Sequence, residues 1–272
     1  MPDYQTYNFP DSKCLVVCGD IHGDFNLLVH KLCVQYQMKD TTCIVAGDCG
    51  FGFEKKEYYE NIVRRNCKRM SDANNRIVFI RGNHDNPAYF DGQTFAHKRF
   101  IAIPDYSVVN VCNHSILCVG GAISVDRRYR MSVWEQNQKK YKRFGHHSVD
   151  DILSPNYYWK NEAPIFNDNL LEHIIADNHI DTVITHTAPS FCELQDKTGI
   201  AEWAEDDSSL ISDVQDERST MDAIYAKLKG IHITHWCYGH FHQSWHASIE
   251  GVLFKMLDIM ELYEIRLASF FL

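Results

Sequence analysis

The chain has no Cys-x-x-Cys pair, no internal repeat, no low-complexity segment and no excess of positive charge. Its 36 Asp and Glu outnumber 27 Lys and Arg, for a formal net charge of -9. A general nucleic-acid binder normally carries a basic field, so that class is disfavoured, though a local basic pocket is compatible with the balance. No apolar run approaches the roughly 18–20 residues that a membrane span needs, so no membrane association is expected. The first residues, Met1-Pro2-Asp3-Tyr4-Gln5, carry neither a basic segment nor a long apolar one, which is the pattern expected without a secretory leader. Ten cysteines are present, but Cys14, Cys18, Cys33, Cys43 and Cys118 sit in apolar runs, where a free thiol behaves as a small hydrophobe. The expectation is a reduced, cytoplasmic protein.

What the chain does have is enough apolar material for a large core. Hydrophobic residues make up 45% of 272 residues, which argues against global disorder and allows one large domain or two small ones. Short apolar runs at Lys13–Cys18, Thr42–Ala46 and Arg76–Ile80 read as buried strands. Between the first two, Phe25, Leu28, Val29, Leu32, Cys33 and Tyr36 recur at helical spacing, and Tyr59, Ile62, Val63, Cys67 and Met70 do so between the second and third. Strand–helix–strand–helix–strand is the signature of a parallel sheet with crossover helices. Further strands are expected at Ser115–Val119, Asp181–Thr185 and Ile233–Tyr238, with antiparallel strands over about 245–268. Helices are expected around Leu170–Ile175 and Met221–Leu228.

Two segments read as irregular. Residues 126–168 hold Asp126-Arg127-Arg128, Trp134, Tyr141, Phe144, His146, His147 and Tyr157-Tyr158-Trp159, and are expected to form an insertion or lid facing substrate. Residues 201–217 are acidic and polar and are expected to be a loop.

Five short motifs carry the chemistry: Gly19-Asp20-Ile21-His22-Gly23, Gly47-Asp48, Gly82-Asn83-His84-Asp85, Thr185-His186 and Gly239-His240-Phe241-His242. Each is common alone. All five in this order, each directly after a strand-like run, form a strong signal. The first three runs end at Asp20, Asp48 and Asn83, and ligand sites in open α/β sheets lie beyond the carboxyl ends of the strands. Carboxylates, an amide and imidazoles together suit manganese, iron or zinc. There are enough of them for two adjacent divalent ions, a standard device for hydrolysing phosphate esters. Cys18 and Cys49 flank the motifs but read as packing residues.

In these motifs the chain resembles the calcineurin-like metallophosphoesterase superfamily, which includes the Ser/Thr phosphoprotein phosphatases, from residue 14 to about residue 260. The resemblance implies a two-sheet αββα sandwich of α/β (α+β) class, a single domain over 1–272 with the insertion at about 126–168. It implies one metal on Asp20, His22, Asp48 and His242 and a second on Asp48, Asn83, His186 and His240, so that Asp48 bridges. It makes His84 the general acid for the leaving oxygen, a role that suits an imidazole with an unperturbed pKa of about 6.5. Arg81 matches the Arg-Gly-Asn-His part of the phosphoprotein phosphatases. Their second motif, Gly-Asp-x-x-Asp-Arg-Gly, is not kept. The Asp that would orient the catalytic histidine falls on Phe51 and the phosphate-binding Arg on Gly52. Asp85 then becomes the candidate partner of His84, and Arg127 and Arg128 become candidate phosphate clamps, since guanidinium pairs bidentately with phosphate oxygens. The implied activity is hydrolysis of phosphomonoesters, whether a phosphoprotein, a small monoester or a nucleotide. The alternatives are a phosphodiesterase acting on nucleotides or cyclic nucleotides and, more remotely, a non-catalytic scaffold on the same fold.

Overall fold

The computed structural model describes residues 4–143, 145, 154–192, 194 and 198–266. In chain order the strands are β1 (Thr6–Phe9), β2 (Cys14–Cys18), β3 (Thr41–Val45), β4 (Arg76–Phe79), β5 (Ala96–His97), β6 (Phe100–Ala102), β7 (Ser107–Val111), β8 (His114–Val119), β9 (Thr182–Thr185), β10 (His235–Tyr238), β11 (Trp245–Ile249), β12 (Val252–Met256) and β13 (Leu262–Ile265). The α-helices are α1 (Phe25–His30), α2 (Lys56–Asp72), α3 (Arg127–Arg143), α4 (Asp168–Asp177), α5 (Thr198–Ala204) and α6 (Leu210–Leu228). Among the described residues, no helix is long and apolar enough to cross a membrane.

The period of two along each strand builds the layers. In β2, Val16 and Cys18 join the cluster that holds Phe25, Leu28 and Val29 of α1 and Tyr59, Ile62 and Met70 of α2. Leu15 and Val17, one residue out of step, join a second cluster with Ile44 and Val78 from the neighbouring strands and Ile116, Cys118, Ile184 and Cys237 from the other sheet. Across that layer the same alternation sends Leu117, Val183 and Trp236 outward, onto Leu171 and Ile174 of α4 and Met221 and Ile224 of α6. The result is four layers, α/β/β/α, with an apolar interior between two sheets and one under each pair of helices.

One sheet runs β13-β2-β3-β4-β6-β5 and the other β1-β7-β8-β9-β10-β12-β11. β2, β3 and β4 are mutually parallel, as are β8, β9 and β10, so the carboxyl ends of each trio lie along one edge. The tail pairs as expected: β11 with β12 and β13 with β2, both antiparallel.

Two segments differ from the sequence expectation. Within the 126–168 segment, residues 127–143 form the helix α3, where no regular element was expected. This helix buries only Arg130, so it shows no apolar stripe to read. Its Arg, Met, Gln and Lys are good helix formers, and Lys140, Lys142 and Arg143 in the last turn suit the negative end of the helix dipole. Phe144, His146 and His147 lie outside the described residues. The acidic 201–217 segment is also largely helical, comprising the end of α5 and the first two turns of α6. Its acidic residues are anchored rather than only solvated: Asp207 and Asp213 both accept hydrogen bonds from Arg127.

Candidate metal centre and cleft

The loops after β2, β3 and β4 present Asp20, Asp48 and Asn83. Those after β9 and β10, on the other sheet, present His186, His240 and His242. Each turn is tight. His22, Asp48, His240 and His242 hold φ values of 43°, 45°, 69° and 52°, a left-handed conformation that side-chain-bearing residues seldom adopt. Strain of this kind persists where the surroundings over-determine it, and it gathers at functional sites. The motif glycines permit the approach. A Cβ on Gly82 would run into Asp48, and one on Gly239 into the Asp20 carboxylate.

The first group of ligands converges. Asp20, His22, Asp48 and His242 each offer one donor atom, all within 4.8 Å of one another. Asp20 Oδ2 is buried with no hydrogen-bond partner. It lies 3.0 Å from His242 Nε2 and 3.8 Å from His22 Nε2. The two imidazole Nε2 atoms themselves face each other at 3.0 Å. A buried carboxylate oxygen without a donor is costly. Together with two ring nitrogens turned toward it, it is a donor set that a cation completes.

The second group is as close. His186 Nδ1 lies 2.7 Å from the Ala46 carbonyl, which can only accept, so Nδ1 carries the hydrogen. Nε2 then points at Asn83 Oδ1, 2.9 Å away, and Asp48 Oδ1, 3.3 Å away. His240 Nδ1 stands 3.1 Å from the same Asn83 oxygen. A histidine that gives one N–H to a backbone carbonyl and turns its other nitrogen to oxygen ligands is the usual arrangement at a metal. Asn83 is fixed by donating its amide to Ser124 Oγ at 2.9 Å, which leaves Oδ1 for the site. Without a cation, charge settles among these groups. Burial works against charging His186, but Asp48 outweighs it and lifts the imidazole to about 9. Burial likewise opposes the Asp48 carboxylate, yet His84 and His186 hold it well below the usual range. The residues present fit divalent metal, with Asp20, His22, Asp48 and His242 as one donor set and Asn83, His186 and His240 close beside Asp48.

His84 stands beside this centre, with Nε2 3.9 Å from Asp48 Oδ2. Its Nδ1 contacts the guanidinium of Arg130, a side chain 1% exposed. Burial lowers the His84 pKa; Asp48 opposes and Arg130 adds to the effect, which leaves it at about 4. Arg130 also reaches Ser124 Oγ at 3.3 Å and Asp126 at 3.5 Å. Ser124 is held in turn by Glu162, through its N–H at 2.8 Å and its hydroxyl at 2.6 Å.

Residues 15–244 match the calcineurin-like phosphoesterase family. The chain belongs to that family. It is also similar to the serine/threonine-protein phosphatase 6 catalytic subunit of Caenorhabditis elegans, at 27% identity over 134 residues, 44% of this chain and 39% of that relative. The match thus spans well under two thirds of the relative's length.

This family member handles the other sequence-marked residues differently from the expectation. Asp85 does not meet His84. Its carboxylate accepts from the backbone N–H groups of Cys49, Gly50, Phe51 and Gly82 at 2.7–3.0 Å, tying the second and third motif loops together. Burial, with Asp48 nearby, raises its pKa to about 6. Arg81 pairs with Asp105 at 2.8 Å and donates to the carbonyls of Asn161, Glu162 and Ala163, so it pins a loop rather than facing the cleft. Arg127 is taken up by Asp207, Asp213 and Ser209, and Arg128 is exposed, 3.9 Å from Asp207. Phe51 is fully buried, with Phe25, Tyr59, Phe79, Tyr89, Phe90 and Phe95 around it. Gly52 lies under Trp159, which a Cβ there would strike. Arg130 went unread. The signal available was its spacing: three residues after Arg127 and four after Asp126, it shares a helical face with both.

Proposed function

We propose that this chain is a metal-dependent phosphoester hydrolase acting on phosphomonoesters. The observation that carries the reading is the pair of ligand groups meeting at Asp48, with His84 beside them. Asp20, His22, Asp48 and His242 would hold one divalent ion and Asp48, Asn83, His186 and His240 the other; manganese, iron and zinc all suit the donor set. Bound there, such ions act as Lewis acids toward phosphoryl oxygens and lower the pKa of water. The chain's own residues do the rest. Arg130 can only donate, so His84 Nδ1 must accept and the imidazole hydrogen sits on Nε2. His84 is therefore held neutral, so it would donate a hydrogen bond from Nε2–H to the oxygen that gains charge as the ester bond breaks rather than release a proton to it, unlike the general acid that the resemblance implies. Arg130 takes over the orienting task that a carboxylate at position 51 would have had.

The monoester reading draws on the likeness to a protein phosphatase; the substrate would be a phosphoprotein, a small monoester or a nucleotide. Ten cysteines, all unpaired, support a reducing, cytoplasmic setting. The test is hydrolysis of p-nitrophenyl phosphate beside bis-p-nitrophenyl phosphate, with manganese and with chelator. Manganese-dependent turnover of the monoester is expected. Preference for the diester would replace this reading with a phosphodiesterase. Turnover of neither would leave a non-catalytic scaffold if the folded protein holds no metal, and a narrow specificity gated by the 126–168 insertion if it does.

A further inference from the structure

The segment 161–163 is stitched to the loop that follows β8. Ala122 donates its N–H to the Glu162 carbonyl at 3.1 Å, and the Arg81 guanidinium donates to the carbonyls of Asn161, Glu162 and Ala163. A Cβ on Gly121 would run into the Glu162 carbonyl, so the two stretches of chain approach this closely only at a glycine. The stitching carries the Glu162 side chain inward, where it and Ser124 are each 1% exposed. A buried carboxyl is costly unless it is hydrogen-bonded. One residue occupies both of its oxygens: Oε1 accepts the Ser124 N–H at 2.8 Å and Oε2 the Ser124 hydroxyl at 2.6 Å. A serine hydroxyl has one hydrogen to give and two lone pairs to receive, whereas a carboxylate only accepts. Ser124 therefore spends its hydrogen on Glu162. Its lone pairs are left for Arg130, at 3.3 Å, and for Asn83, at 2.9 Å. The Asn83 atom facing Ser124 must then be the donor, Nδ2. Oδ1 is thereby turned to the other side, toward His186 Nε2 at 2.9 Å and His240 Nδ1 at 3.1 Å. The two ends of an amide are alike in shape, so packing does not choose between them and hydrogen-bond polarity does.

We infer that Glu162 is a positioning residue for the candidate metal centre: through the Ser124 hydroxyl it dictates which end of the Asn83 amide is offered to the metal. Glu162 has this role only if Asn83 is a ligand, as proposed above. A glutamine at 162 would keep its carbonyl on the Ser124 N–H, which has a fixed direction, and set its NH2 against the hydroxyl. The hydroxyl then accepts from the glutamine and gives its own hydrogen to Asn83. The Asn83 amide turns over and presents NH2 to the site, where a cation needs oxygen.

Calorimetric titration of the metal-stripped chain with manganese alone reads this without turnover. Burial raises the Glu162 pKa to about 8, against the pull of Ser124 and Arg130, so the titrations are run above that value, where the carboxylate accepts twice. Glu162→Gln should weaken manganese binding at one of the two positions by about 10–100-fold, the usual range for an outer partner of a metal ligand. Asn83→Asp supplies the readout that a merely structural role would not move. An aspartate presents oxygen whichever way it turns, so in that background Glu162→Gln should bring no further weakening. Unchanged binding in Glu162→Gln overturns the inference. So does an equal loss in both backgrounds, which would mean that Glu162 only braces the loop. If Glu162→Gln does not fold, Ser124→Ala, which removes the hydroxyl and keeps the backbone N–H, takes its place in both backgrounds with the same expectations. Asn83→Ala tells the two failures apart. If it leaves manganese binding unchanged, Asn83 is no ligand and the role of Glu162 falls with it. If it weakens binding while Glu162→Gln does not, the ligand stands and only the role of Glu162 falls.

Discussion

Replacing Arg130 by Met tests how His84 is held. The substitution keeps the length and apolar stem of the side chain in a position only 1% exposed, and removes the guanidinium that meets His84 Nδ1 and lies 3.3 Å from Ser124. Among the described residues, Arg130 meets the cleft through His84, Asn83's partner Ser124, and Asp126. Its loss should therefore act through them. Partners that orient a functional histidine are worth roughly 10–100-fold. Removal of the histidine itself should cost about 10²–10⁴-fold on an ester with a poor leaving group. The expected result is a fall in kcat of about 10–100-fold for Arg130→Met with KM little changed. The double variant Arg130→Met/His84→Ala should be no slower than His84→Ala alone, because groups acting as one unit are not additive. The assay is steady-state kinetics on an alkyl and an activated aryl monoester. His84→Ala should hurt the aryl ester less, since a good leaving group needs little help. Multiplicative losses in the double variant would refute the reasoning, as would an effect of Arg130→Met confined to KM, which would mean that the guanidinium binds phosphate directly.

Asp48→Asn should abolish turnover and lower metal content at both positions, checked by elemental analysis; wild-type activity would remove Asp48 from its bridging role. Phe51→Asp, which restores the residue of the phosphoprotein phosphatases, should cost about 3–5 kcal/mol or prevent folding, because it cuts a hole in a fully buried aromatic cluster and leaves a carboxylate there; chemical denaturation measures it, and a stable, more active variant would contradict the account. Asp181 is held below its usual pKa: burial opposes this, but hydrogen bonds from His114, Thr182 and the Ser115 N–H outweigh it. A carboxylate with a depressed folded pKa adds stability that is present above its unfolded pKa, about 3.9, and is lost as pH falls below that value. Asp181→Asn should therefore destabilise by about 1–3 kcal/mol at neutral pH, and the gap to wild type in thermal melts should close toward pH 3.

Much of this was legible because the metal centre has to be written locally. Each candidate ligand stands one to four residues past a buried strand, and Asp20, His22, Asp48, Asn83 and His240 each adjoin a glycine that lets the chain turn. The strands themselves announce their layers by alternation, as Leu15 and Val17 against Val16 and Cys18 show. The residues that tune the centre left no such trace. Arg130 is the one buried residue of its helix, and its target is 46 positions away. Asp85 looked like the natural partner of His84, but its geometry serves four backbone N–H groups instead. Arg81 fits a phosphatase motif by sequence, yet Asp105 and the 161–163 carbonyls claim it. A charged side chain's partner depends on which loops the fold brings alongside, and no periodicity encodes that. The helices α3 and α5 were missed for a related reason: α3 buries only Arg130 and α5 is short, so neither shows an apolar stripe.

The division of ligands between the sheets has a mechanical consequence. Asp20, Asp48 and Asn83 ride on one sheet and His186, His240 and His242 on the other, while Ile44, Val78, Ile184 and Cys237 fill the space between. The side chains interdigitated there resist separation and also limit sliding. Two ions bound as proposed would tolerate almost no sliding at all. The centre would then act as a clasp at one edge of the sandwich and also as a gauge of its alignment. A substitution deep in the interlayer that shifts one sheet by a fraction of an ångström would be registered first as weakened metal retention, well before the fold itself gives way.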